Sequence, residues 1–148
     1  MNRHQRWTPA LLLTVLFAMQ STASNADPAT INAQPPSIGV ATSIKPHAEK
    51  GDGANFQPLS PGSELRASET VRTGNVGQAD LVFIDQSNLS VGPTSEVLLD
   101  KFVYDPVGSA GQVVMQVRGT FRFVTGTQDI GAYKLKTPYG TLSVVGHE

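Results

Sequence analysis

The chain has 148 residues, with 11 Lys and Arg against 12 Asp and Glu and a formal net charge of −1. That length holds one domain of ordinary size, and the charge balance lacks the gathered basic excess of a nucleic-acid binder. Cysteine is absent, which excludes disulfides, thiolate zinc sites and iron–sulfur clusters.

Residues 1–26 have the three parts of a secretory signal peptide. Arg3 and Arg6 form a positive start with no acid beside them, and Ala10 to Met19 is apolar but for Thr14. Small residues then stand at −3 and −1 of two cleavage sites, after Ala23 and after Ala26, and the second is preferred. The apolar run is too short for the ~20 residues that cross a bilayer, and no Cys follows it to carry a lipid. Cleavage after Ala26 removes two Arg and no acid, leaving a mature net charge of −3. The expected location is the periplasm or the exterior, with no transmembrane helix in the mature chain.

Residues 27–37, with three prolines and little to bury, read as a flexible leader to a domain at 38–148. Gly and Pro then punctuate the chain every 8–12 residues, with β-branched runs between, as in an all-β domain. Ile38 to Ile44 is the first expected strand, and Lys45 to Ser60 reads as a long polar connection. Glu69 to Thr73 follows, then Gln78 to Ile84, whose Leu81-Val82-Phe83-Ile84 predicts a central strand covered on both faces. Asp85 to Asn88 supplies a turn into Leu89 to Val91. Further strands are expected at Glu96 to Tyr104, Val113 to Arg118, Phe121 to Phe123, Tyr133 to Thr137 and Thr141 to Val145. No segment sustains helical periodicity. The fold class is therefore all-β, a two-layer β-sandwich or a short β-roll.

Chemistry is harder to place. His47 and His147 have no ligand-spaced neighbours and read as solvated; the scattered acids form no calcium motif. No nucleophile elbow, Ser-x-x-Lys or phosphate-binding loop is present. Arg118 and Arg122 share one side of an extended chain only if the Gly119 corner permits. The expectation is a non-enzyme without cofactor or metal.

The central stretch is familiar. Val71-Arg72-Thr73-Gly74, followed by Ala79 through Asp85-Gln86-Ser87 to Gly92-Pro93, resembles the FecR domain. So do Gly119-Thr120-Phe121-Arg122-Phe123-Val124-Thr125-Gly126 and the closing Thr137-Pro138-Tyr139-Gly140 with Thr141 to Gly146. The resemblance spans 38–146. It departs at Gln86, where the family has Gly and a different turn type is expected, and at Val145 and His147, where it has Arg and Thr.

Each matched residue also has a structural task. Gly74, Gly92, Gly119 and Gly126 fall where strands turn, Asp85 and Ser87 can bond their own turn, and Pro138 keeps Thr137 out of helical geometry. Together they read as a fold signature. The resemblance implies an exported signalling or regulatory module whose partner is another envelope or membrane protein. The alternative is a β domain for a sugar or envelope polymer, with Tyr104, Tyr133 and Tyr139 as exposed aromatics. For a protein partner, the candidate surface is an edge strand over Thr141, Leu142, Ser143, Val144 and Val145, with Leu142 and Val144 as core residues.

Overall fold

The computed structural model describes residues 34–107 and 110–143; the signal-peptide segment, leader residues 27–33, Val144, Val145 and His147 lie outside them. Among the described residues, twelve strands form two sheets. The first runs β10(Phe121–Val124)–β7(Asn88–Val91)–β6(Gln78–Phe83)–β1(Ser37–Lys45)–β4(Glu64–Arg66), antiparallel throughout. The second runs β12(Gly140–Ser143)–β11(Tyr133–Thr137)–β9(Gln112–Arg118)–β8(Glu96–Val103)–β5(Thr70–Thr73)–β2(Ala48–Asp52)–β3(Asn55–Leu59). Its β9–β11 pair is parallel and the remaining pairs are antiparallel. The only helical element among the described residues is a 3-10 turn at Ile130–Ala132.

Strand periodicity explains the packing. Val97 and Leu99 in β8, Val113, Met115 and Val117 in β9, and Tyr133 and Leu135 in β11 turn one face inward. They meet Ala79, Leu81 and Phe83 of β6 and Leu89 and Val91 of β7, forming a two-layer sandwich around one core. Two aromatic pairs bridge the layers: Phe83 stacks on Phe102, and Phe123 tilts against Tyr133, each with ring centroids 5.4 Å apart.

Two expectations are corrected. The connection Lys45 to Ser60 holds the β2–β3 hairpin, and Glu64–Arg66 adds β4. These strands are polar because an edge hairpin needs few anchors, here Ala48 and Leu59. The Gln78 to Ile84 segment is central but covered on one face only: Val82 is half-buried and Ile84 is 47% exposed. Gln86 sits in the loop that joins β6 to β7. The Gln86 amide donates to the Phe83 carbonyl at 2.9 Å and the Phe83 amide to the Ser87 carbonyl at 3.0 Å. Gln86 itself takes φ +67°, the left-handed position that glycine favours at the end of a three-residue hairpin loop.

The outer face of the second sheet carries an ordered row of charge. Glu49 stands opposite Arg72, Arg72 opposite Glu96, and Glu96 opposite Arg118. Signs alternate across four strands, and the first pair closes at 2.6 Å while Arg72 also covers the Phe56 ring at 3.6 Å.

Candidate functional site

The signature residues assemble into two polar knots at the two ends of the β7–β10 pair. At the first, Asp85 is fully buried. Its Oδ1 accepts from the Ser87 amide at 3.0 Å and the Ser87 hydroxyl at 2.6 Å. Its Oδ2 accepts from the Tyr133 hydroxyl at 2.7 Å and from Gln128 Nε2 at 3.3 Å. All four contacts are donors, which suits a carboxylate as an acceptor-only group. The Asp85 carbonyl accepts in turn from the Thr127 amide at 2.8 Å and the Thr127 hydroxyl at 3.1 Å.

Tyr133 closes this knot. Its hydroxyl donates to Asp85 and accepts from the Gly126 amide at 3.0 Å. Burial first, and then the hydrogen bond to Asp85, push the phenol up to about 12 from 10.0, while the Gly126 amide opposes the rise. Gly126 is required by space: a Cβ there would stand 2.0 Å from the Asp85 carbonyl oxygen and 2.4 Å from the Ser87 amide nitrogen.

The second knot joins β5, β8 and the entry to β10. The Thr73 hydroxyl donates to the Gly92 carbonyl at 2.6 Å and accepts from the Ser95 amide at 3.1 Å. The Ser95 hydroxyl accepts from the Thr120 amide at 2.8 Å and donates to the Pro93 carbonyl at the same length. Gly74 accepts from the Thr94 and Gly77 amides. Gly119 has φ +97°, and a Cβ on it would lie 2.4 Å from Ser95 Oγ. Among the described residues no buried side-chain polar atom is left without a partner. Chemically, both knots are fasteners: their polar side chains bond one another and the turn backbone, the first knot in the buried interior and the second partly buried.

The signature ends at the β11–β12 hairpin. Pro138 stops β11 at Thr137, whose hydroxyl donates to the Gly140 carbonyl at 2.9 Å and accepts from the Tyr139 amide at 3.3 Å. β12 is an edge of the second sheet. The expected edge residues Thr141, Leu142 and Ser143 thus lie on an edge strand. Leu142 is not a core residue, however. It stands opposite the buried Leu135, on the inward face, yet is 51% exposed because the sandwich is open at that edge.

Other candidates separate. Tyr133 is 1% exposed and does not serve an aromatic binding surface; Tyr104 and Tyr139 remain exposed. Arg118 lies in β9 and Arg122 in β10, on different sheets, so they form no common patch. His47 is exposed, and among the described residues no three His, Asp or Glu gather to hold a metal. A groove of about 290 Å³ on the outer face of the second sheet is lined by Glu96, Leu98, Arg118, Lys136 and Pro138 among others, with no aromatic side chain. Sequence reasoning missed Tyr133, Gln128, Ser95 and Thr73 as members of the knots. The alternation Tyr133-Lys134-Leu135-Lys136 carries a signal for the first, since it puts Tyr133 on the same face as Leu135.

Neither the curated proteins nor the solved structures yield a match. The family described as FecR protein matches residues 69–148, which takes in both knots and the terminal hairpin and leaves out β1 to β4. With more than half of its length matched, signature residues included, this chain belongs to the FecR protein family.

Proposed function

We propose that this protein is an exported, non-enzymatic interaction module of the bacterial cell envelope, with a signalling or regulatory role, and that it engages another envelope or membrane protein by strand pairing along β12. Family membership supports the envelope and regulatory part. Among the described residues no helix is long and apolar enough to cross a membrane. Residues 1–26 act as the export signal in this reading.

One observation carries the docking part: at β12 an open backbone edge adjoins uncovered apolar surface. The other edges lack that combination. β3 contains Pro58, β4 has three residues, and the inward Phe121 and Phe123 of β10 pack on the core. At β12 the inward apolar residue, Leu142, stands half out of the sandwich. The hairpin fixes which groups are offered. Thr137 and Gly140 close a two-residue loop as a hydrogen-bonded pair, so by alternation the Thr141 and Ser143 N–H and C=O groups point away from β11. A partner strand can take them up.

The test is in-cell cross-linking of the partner followed by Ser143→Pro, which removes one outward donor and leaves the β11 ladder intact. Leu142→Asp, which removes the apolar shelf, serves as a second variant. Circular dichroism checks the fold of each. Partner capture should drop at least tenfold in both; a folded Ser143→Pro protein that captures its partner like wild type overturns pairing through β12.

A further inference from the structure

The chemistry around β12 also specifies the strand it accepts. On the outer face, Thr141 stands opposite Lys136 and Ser143 opposite Lys134. Both lysines are exposed. Lys136 has only a loose pairing with Asp100 at 3.6 Å, half in solvent, a class of contact that contributes little. Lys134 has no ion pair among the described residues. Behind it, Lys134 and Lys101 flank Val114, which is only 6% exposed on this outward face. Long lysine stems cover such an apolar site and leave their ammonium groups in water. Thus a cationic cluster stands one strand in from the open edge, on a chain whose overall charge is negative.

The inner face has the opposite character. Leu142 pairs with buried Leu135, and a strand added beside β12 would place alternate residues against this apolar shelf. Its remaining residues would share the outer face with Lys134 and Lys136, two strand spacings or roughly 9.5 Å away between backbones. That gap is within reach of a lysine and a glutamate extended toward each other.

We infer that the segment docking on β12 is an extended strand with acidic residues alternating with apolar ones, the acids toward Lys134 and Lys136 and the apolar side chains toward Leu142. The inference rests on the edge-strand reading above and adds the identity of the ligand. Charge complementarity on one face and burial on the other set both the direction of approach and the choice among competing strands.

The experiment uses three fluorescent nine-residue peptides, in which Val alternates with Glu, Ser or Lys, titrated by fluorescence anisotropy against the protein purified from cells that make it. The Val/Glu peptide should bind at least tenfold more tightly than Val/Ser, and Val/Lys most weakly. Lys134→Glu with Lys136→Glu, both exposed positions that spare the fold, should invert that order. Ser143→Pro and Leu142→Asp should weaken all three peptides. Equal affinity for the Glu and Ser peptides, lost in Ser143→Pro, overturns the acidic preference and leaves strand pairing standing. Val/Glu binding that survives in folded Ser143→Pro, or no binding by any peptide, overturns the pairing and the inference with it.

Discussion

The Tyr133 hydroxyl donates to Asp85 Oδ2 at 2.7 Å across 48 positions of sequence, joining the β6–β7 loop of one sheet to β11 of the other. A short polar bond thus fastens the two layers at one end of an otherwise apolar core.

Tyr133→Phe keeps the ring against Phe123 and removes the hydroxyl, so it isolates that bond. Loss of a hydrogen bond to a buried carboxylate should cost about 2 kcal/mol, read as a lower urea midpoint with unchanged slope. The raised phenol also has a pH signature. Its stabilising contribution is complete below pH 10, the ordinary tyrosine value, and is lost as pH climbs toward about 12. Wild type should therefore lose stability between pH 10 and 12 more steeply than Tyr133→Phe; parallel curves would refute the assignment.

Gln86 offers the converse experiment. Holding an L side chain in the left-handed region carries a steric cost, and φ +67° places Gln86 there. Gln86→Gly relieves it and gives back part of the gain as chain entropy, for a net stabilisation of about 1 kcal/mol. Thermal unfolding should show a higher midpoint.

At Gly126 the limit is space. Gly126→Ala brings a methyl to 2.0 Å from backbone that cannot yield without opening the Asp85 knot. A loss of about 3 kcal/mol or more is expected, at the severe end for single substitutions. The variant should be poorly soluble, and Tyr133→Phe should add little to it because the two share one network.

Export is checked by mass. The protein recovered from the periplasm should begin at Asp27, or at Ser24 if cleavage follows Ala23. A full-length product confined to the cytoplasm would end that reading.

The strands with alternating apolar residues were legible from sequence, β11 within its own limits, because period-2 burial writes itself directly into Tyr133-Lys134-Leu135-Lys136. β2 and β3 were not, because a hairpin at the margin of the sheet, anchored by Ala48 and Leu59, leaves almost no periodic trace. The Asp85-x-Ser87 pair could be read as a turn, since its contacts with Ser87 are local. Its partners Gln128 and Tyr133 are 43 and 48 positions away, and no local pattern announces them. Leu142 shows the other limit: alternation gives the face a residue points to, and only topology tells whether anything covers it.

β11 lies parallel to β9, and between them the chain crosses to the opposite sheet as β10. Parallel neighbours cannot be joined by a tight hairpin, so β11 reaches its place only by way of β10. The β6–β7 hairpin pairs neighbours in sequence, yet the hydroxyl that its acid bonds lies on a strand the chain reaches only after it has gone out and come back. Closure belongs to the last third of the sequence: the stretch before Tyr133 encodes β1 to β10 and lacks the hydroxyl that locks the layers together.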